Sequence, residues 1–513
     1  VAVAERPRVG DLPGMRSRPL HVALALASAV LAACSATPAA TAPAPRAASD
    51  TTPPPITREM RGLWIATVGN IDWPSRPTLT PDQQRAELAD ILDRAQATGF
   101  NAVILQVRPA GDALYSSSLE PWAAWLTGTQ GTDPGYDPLA FAVSEAHARG
   151  LELHAWINPF RAGNAADSAR LAPGHFFNAH RDLSRVYGTQ LWFDPAESAV
   201  QDHVMRVVSD IVQRYDVDAV HLDDYFYPYP QNDSAGKAID FPDSASYVRS
   251  GSTIPRADWR RENVDRFVAR LYREVHQLKP TVKVGISPFG IWRPGNPASV
   301  AGLDAYAAIY ADSRKWLQQG WVDYLAPQLY WAIGAPQQSY PALLDWWLGQ
   351  STMGRHVWPG LAAYRVQNGT PSAFGASEIY DQIRLTRARP AGTGHILYNT
   401  TYTLKRNGGA IAAGLAPLYE SRAIVPASPW LDGAAPPTPS LAVAGRTVTI
   451  TPATGEPVRW WLVRSRVGGL WSTRLLFGDQ RSLPLAGEPE RVLVNAIDRA
   501  GNASGDVEWR ERR

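Results

Sequence analysis

Two neighbouring carboxyl groups, Asp223 and Asp224, close the apolar run Ala219-Val220-His221-Leu222. Adjacent carboxylates repel, so ionising one raises the pKa of the other and leaves a protonated acid near neutral pH. A group in that state can give a proton to a leaving oxygen, which is the work of a general acid. On strand alternation Asp223 shares its face with His221 and Tyr225, and Asp224 joins it only where the strand ends. Asp224 is then either the second carboxyl of a site or the cap of the following turn. Asp112, Glu120 and, deeper in its own run, Glu152 are the other carboxyls available.

The same parity rule selects polar residues late in other short runs: Gln106 and Arg108, Trp156 and Asn158, Ser287, Gln328 with Tyr330, and Asn399. In Leu151–Asn158 it puts Glu152, His154, Trp156 and Asn158 on one face and aliphatic residues on the other. A buried polar atom without a partner costs about 1–3 kcal/mol, so such a convergence is either a hydrogen-bonded plug or a ligand site. Its concentration at one end of the runs favours a site. Tyr115, Trp122, Trp125, Trp156, Tyr225, Tyr227, Tyr330, Trp331 and Tyr364 lie at or after the same ends. Aromatic faces there suit the C–H faces of sugars. Arg108 either binds a ligand carboxylate or hydroxyl or pairs with Asp112. The ten His residues form no His-x-x-x-His or other ligand spacing, so neither a metal nor a cofactor is expected.

The elements that must hold these residues repeat one pattern from Arg58 onward: an apolar run, a loop, then an amphipathic helical segment. Eight runs are present: Gly62–Val68, Ala102–Val107, Leu151–Asn158, Ala219–Tyr225, Lys283–Pro288, Tyr324–Trp331, Val357–Tyr364 and His395–Asn399. Helices are expected between them, for example over Pro81–Thr98 and Asp258–Leu278. Eight βα units predict an α/β fold, a (β/α)₈ TIM barrel over residues 58–425, with the site at the carboxyl ends of the strands. A doubly wound open sheet is the rival, but no Gly-rich phosphate loop follows the first run. After a Pro-rich seam, residues 434–513 alternate with period two, as in Thr447-Val448-Thr449-Ile450, and predict a small all-β sandwich. Its ending Ala496-Ile497-Asp498-Arg499-Ala500-Gly501-Asn502 resembles a fibronectin type III module.

Arg16 and Arg18 after Met15, followed by the apolar stretch Val22–Leu31, read as a signal peptide over residues 1–33, with Met15 as the start. Leu31-Ala32-Ala33-Cys34 resembles the bacterial lipobox, which makes Cys34, the one Cys of the chain, a lipidation site. A tether of Ala, Thr, Pro and Ser over residues 34–57 follows. Ser35 after the Cys implies the periplasmic face of the outer membrane in a Gram-negative cell. The formal charge of +2 comes entirely from Arg6, Arg8, Arg16 and Arg18 against Glu5 and Asp11. The body is neutral, with no electrostatic footprint for nucleic acid.

Several motifs in register resemble glycosyl hydrolase-like family ten: Arg61-Gly62-Leu63-Trp64-Ile65, Gln106-Val107-Arg108-Pro109, Trp156-Ile157-Asn158-Pro159, His221-Leu222-Asp223-Asp224-Tyr225, Gly285-Ile286-Ser287-Pro288 and Ala326-Pro327-Gln328-Leu329-Tyr330-Trp331. The resemblance spans about residues 58–425. It implies an envelope lipoprotein that cleaves peptidoglycan glycan strands lacking their peptides, with Asp223 and Asp224 catalytic. Arg108, Asp112, Tyr115, Trp156, Asn158, His221, Tyr225, Ser287, Gln328, Tyr330, Trp331 and Asn399 are then candidate substrate-binding residues. The fourth run is also similar to the α-amylase strand-four motif, with His221 in place of Arg, but the fifth ends in Ser287-Pro288-Phe289 without a Glu. That departure keeps open a carbohydrate-binding barrel without catalysis, or an envelope scaffold whose C-terminal module binds a cell-wall or division partner.

Overall fold

A computed structural model describes residues 52–455 and 457–511. The signal segment, Met15, Cys34 and the tether as far as residue 51 lie outside the described residues.

Eight parallel strands carry the first part of the chain: β1 Met60–Ile65, β2 Ala102–Arg108, β3 Glu152–Ile157, β4 Ala219–Leu222, β5 Lys283–Ile286, β6 Tyr324–Leu325, β7 in two segments, His356–Val357 and Gly360–Ala362, and β8 Gly394–Tyr398. The hydrogen-bonded order begins with the first segment of β7, runs through β6, β5, β4, β3, β2, β1 and β8, and ends on the second segment of β7. One run thus supplies both edges, which closes the sheet into a barrel and excludes the open doubly wound alternative. The break in β7 falls at Pro359, which has no N–H to offer the ladder. Its carbonyl still accepts from Ile396 N at 3.0 Å, and Trp358 N donates to Leu325 O at 2.9 Å.

Alternation sorts the strand residues as the sequence implies. Leu63, Ile65, Val103, Leu105, Leu153, Ile157, Val220 and Leu222 join the core shared with the surrounding helices. Met60, Trp64, Ile104, Trp156, Tyr324, Trp358 and Ile396 form a second, inner core within the barrel. The helix expected at Pro81–Thr98 has those bounds, because Thr80 and Gln83 form a reciprocal capping box and Gly99, at φ 103°, ends it in a left-handed turn. The helix expected over Asp258–Leu278 starts two residues earlier, at Arg256.

One excursion has no counterpart in the count of eight runs. After β3 the chain makes a small antiparallel sheet, with Gln190–Phe193 between Arg161–Asn164 and Ser184–Tyr187. Trp192 of this sheet donates to Phe226 O at 2.9 Å and meets the Tyr225 ring edge-on at 5.8 Å, so it buttresses the loop after β4.

The C-terminal part forms two antiparallel sheets, of three and four strands, around Val448, Ile450, Trp461, Val463, Val492 and Val494. It is packed against the N-terminal end of the barrel. Arg459 donates to Asp216 at 2.9 Å and also to Asp218, which opens β4. Phe477 stacks on His147 at 5.3 Å, and Trp460, Leu462 and Ile497 bury Ile424 and cover Ile56. Thr57–Arg58 pairs in parallel with Ala423–Ile424, tying the start of the barrel to its end.

Candidate active site

The polar residues inside the barrel divide by depth into a plug and a mouth. The plug begins at the floor, where Lys283 Nζ sits 3.1 Å from both carboxylate oxygens of Glu152. From there one chain runs upward: Glu152 to His154 Nε2 at 3.0 Å, His154 Nδ1 to Tyr324 OH at 2.8 Å, Tyr324 OH to His221 Nδ1 at 2.9 Å, and His221 Nε2 to Trp64 Nε1 at 3.2 Å. Trp Nε1 can only donate, so His221 Nε2 accepts, Nδ1 carries the proton, and every later bond points towards the ionised Glu152. The His221 imidazole is neutral in this arrangement. Burial, with His154 nearby, holds the pKa of His221 well below its usual value. His221 and Glu152, which parity placed with Asp223, are therefore spent on the plug. Glu152 is not a second carboxyl for the mouth.

Arg108 and Glu120 also turn inward. Arg108 Nε donates to Glu120 Oε2 at 2.8 Å and Nη2 to Oε1 at 2.5 Å, both side chains being fully buried. Burial opposes ionisation of Glu120, but Arg108 and His203 hold its carboxyl down at about 2. The partner expected for Arg108, Asp112, instead accepts from Ala110 N at 3.1 Å and Gln130 Nε2 at 3.0 Å. Its burial pushes it up to about 6. Arg108 Nη1 further donates to the carbonyls of Asn158 at 2.5 Å and Pro159 at 3.1 Å. Arg108 is thus a structural cation that sets the end of β3 rather than a residue open to ligand. Tyr115 is fully buried against Tyr215, and Trp156 lies in the inner core; neither faces the mouth as an open stacking platform.

The mouth is built on β4. The strand ends at Leu222, so the alternation that would separate the two acids stops there. Asp223 is partly exposed while Asp224 is buried. A chain of amides places Asp223: Thr67 N and Val68 N donate to Gln106 Oε1 at 3.0 and 2.9 Å, and Gln106 Nε2 donates to Asn158 Oδ1 at 2.8 Å. Asn158 Nδ2 is thereby turned towards Tyr225 OH, at 2.5 Å, and Asp223 Oδ2, at 3.3 Å. Asp224 Oδ2 takes the hydroxyl of Tyr229, and Oδ1 is buried with no partner. Burial first, then the charge and hydrogen bonding of Asp224, push the Asp223 carboxyl up to about 7. Asp223 is therefore part-protonated at neutral pH.

Aromatic rings wall this acid. Tyr229 meets Tyr225 at 6.4 Å and Phe289 at 6.2 Å, and Phe289 meets Trp331 at 5.6 Å. Next to Trp331, Tyr330 stacks on Tyr398 at 6.1 Å and meets Tyr364 edge-on at 5.9 Å. Gly360 permits this wall, since a Cβ there would lie 3.1 Å from the Trp64 ring and 3.3 Å from that of Tyr330. Beneath it, Gln328 Nε2 donates to Ser287 O and Oγ at 3.1 and 3.2 Å. Asn399 is buried, its carbonyls accepting from Tyr402 N and Thr403 N at 3.3 and 3.0 Å, so it starts the next helical turn. Among the described residues no group of three His, Cys, Asp or Glu is placed to hold a metal.

Tyr229, Tyr398 and Trp192 were not singled out by sequence. Tyr227 was, but it is buried beneath the loop and Tyr229 takes the contact with Asp224. Tyr229→Phe is expected to lower kcat about ten-fold by removing a hydrogen bond to a charged group. Without that donor the doubly ionised pair is harder to form, so the alkaline limb of the pH profile moves upward. Steady-state kinetics across pH read both effects, and an unchanged limb would remove Tyr229 from the pair.

Comparison with known proteins gives the class of this site. The family model described as glycosyl hydrolase-like 10 matches residues 59–374. The chain belongs to that family. It is 42% identical over 397 residues to glycosyl hydrolase YngK of Bacillus subtilis, covering 75% of this chain and 76% of that protein. It is 36% identical over 425 residues to glycosyl hydrolase DigH of Escherichia coli K12, covering 76% of this chain and 94% of that one. Among solved structures, the PgaB glycoside hydrolase domain of Bordetella bronchiseptica aligns at 15% identity and a TM-score of 0.47, over 72% of this chain and all of that domain. Membership of glycosyl hydrolase-like family ten makes the reaction class glycoside hydrolysis, and the family match holds β1 to β7 with both acids. It stops before β8, so Tyr398 and the loop after it lie outside it.

Proposed function

We propose that the protein hydrolyses the glycan strands of peptidoglycan from which peptides have been removed, acting as a lipoprotein held at the envelope through Cys34. The observation that carries the reading is the closeness of Asp223 and Asp224. Two-carboxylate glycosidases keep their acids about 5–5.5 Å apart for retention or about 6.5–9.5 Å apart for inversion. Here the acids are consecutive residues, with Asp224 N donating to Asp223 Oδ1 at 3.1 Å, unlike two carboxyls that face each other across a sugar ring. A polymer of N-acetylated sugars brings the missing nucleophile with it.

On this reading Asp223 gives its proton to the glycosidic oxygen as the C1–O bond breaks, while the acetamido carbonyl oxygen of the same sugar bonds to C1. The buried Asp224 Oδ1, an acceptor without a donor, takes the acetamido N–H. Water then attacks C1, giving its proton to the Asp223 carboxylate and releasing the acetamido oxygen. The aromatic wall stacks the sugar rings. The C-terminal module resembles fibronectin type III spacers and fits a supporting or partner-binding role beside the cell wall.

Two inversions at C1 give net retention. NMR of the reducing ends released early from peptide-free strands is expected to show the configuration of the bond that was cut. Inverted ends would contradict the acetamido route, and no released ends would contradict the function. Cys34→Ser is expected to move the protein from the membrane to the soluble fraction, and continued membrane retention would defeat the anchor.

A further inference from the structure

A cleft of about 260 Å³ opens between the loop after β7 and the loop after β8, lined in part by Gln367, Asn368, Tyr380, Tyr402, Arg406 and Asn407. Clefts of about 300–1,000 Å³ accept a drug-sized ligand, so this one suits a single sugar ring with its substituents. It is continuous with the aromatic wall of the mouth: Tyr364 meets Tyr398 at 5.9 Å and Tyr402 at 6.4 Å. The guanidinium of Arg406 lies 5.2 Å from the centre of the Tyr402 ring, within cation–π reach.

The chemistry of the cleft is one-sided. No carboxylate lines it. Among the described residues Arg406 has no acidic partner, and it is exposed. Gln367 and Asn407 line the same cleft, both on left-handed backbone, at φ 47° and 50°. These are two of the four non-glycine residues with positive φ among the described residues. Such conformations persist where surrounding structure enforces them and gather at ligand-binding loops. A guanidinium matches a carboxylate with two parallel hydrogen bonds, and amides beside an aromatic ring match sugar hydroxyls.

We propose that this cleft binds an acidic sugar residue of the polymer, a pyranose bearing a carboxylate, with that carboxylate on Arg406. The proposal rests on the glycan-strand reading and deepens it: a sugar whose lactyl carboxylate is free carries the charge, and one whose carboxylate is bound in an amide to peptide does not. Recognition would then select strands by the state of that group, a few sugar units from the bond being cut. A uronic acid offers the same chemistry from a different polymer.

The test is calorimetric binding to the full protein carrying Asp223→Asn, where binding is read without turnover, with and without Arg406→Gln. Three probes are used: peptide-free glycan fragments with free lactyl carboxylates, the same fragments with those carboxylates converted to primary amides, and uronate oligosaccharides. Arg406→Gln is expected to weaken the first probe about five- to ten-fold, an effect that shrinks with added salt, and to leave the amidated probe unchanged. Binding of uronate but not of the lactyl fragments supports the acidic-sugar cleft and overturns the peptidoglycan reading. Equal losses on charged and amidated fragments, or no loss on any probe, overturn the cleft and leave the glycosidase reading intact.

Discussion

Asp223→Asn is expected to lower kcat by about 10²- to 10⁴-fold, the range for removal of a positioned general acid, with little change in the affinity for glycan fragments. The amide keeps the contact with Asn158 but has no proton to give. In the wild-type enzyme the acid must be protonated, and its carboxyl lies at about 7. Activity therefore falls as pH rises through about 7. A structural role for Asp223 would predict something different in stability. Its pKa is raised on folding, so the folded state keeps a proton that the unfolded state loses between the ordinary carboxylate range and about 7. Folding therefore loses stability as pH rises through that window, and the neutral amide escapes the loss. Above pH 7 the variant is expected to melt at a higher temperature than the wild type while being far less active. Thermal melts and kcat measured on the same samples check the pair of outcomes. A variant that is both inactive and less stable would make Asp223 a structural residue.

The second large effect lies at the opposite end of the barrel. Arg459→Ala is expected to cost about 3–5 kcal/mol of stability, because removing one partner leaves buried charge uncompensated. Burial raises the pKa of Asp218, yet Arg459 first, then His147 and Lys283, hold its carboxyl well below the usual carboxylate range. Asp218 also accepts from Leu153 N at 2.9 Å, which places it between β3 and β4. Loss of the guanidinium therefore loosens the two strands that carry Asn158 and Asp223. Sign follows from the direction of the shift: the stabilisation is present above the unfolded carboxylate pKa and is lost as pH falls through the depressed folded value. The deficit of the variant should be full at neutral pH and shrink in acid. Denaturant midpoints at pH 7 and from pH 4 down to pH 2 test this, and a midpoint equal to wild type at pH 7 would show the module to be a separable appendage. Deleting residues 434–513 goes further, since it also uncovers Ile56 and Ile424.

How much of this was written in the sequence depends on the scale of the signal. The barrel was legible because its strands are long enough for alternation to repeat, and Leu63, Leu153 and Val220 all face the helices as parity demands. Alternation reports which face a residue takes and not how deep it sits. His221 and Glu152 share parity with the acid at the mouth yet belong to the plug, because depth depends on where each strand starts and stops. Arg108 illustrates a second gap. Its partner, Glu120, lies in a loop whose path no periodicity sets, so the sequence pointed to Asp112 instead. The reach of Tyr229 to Asp224 and of Trp192 to the loop after β4 are likewise products of irregular backbone. Arg459 is further still in sequence from Asp218, and only the docking of the C-terminal sheets brings them together.

One experiment tests whether the paired acids that follow β4 cut glycan. Purified protein is incubated with peptide-free and with peptide-bearing glycan strands, and released fragments are followed by mass spectrometry for wild type and Asp223→Asn. Fragments are expected from peptide-free strands with the wild type, with a loss of about 10²-fold or more in their rate with the variant. Undiminished release by Asp223→Asn, or no release from either strand by the wild type, would contradict it.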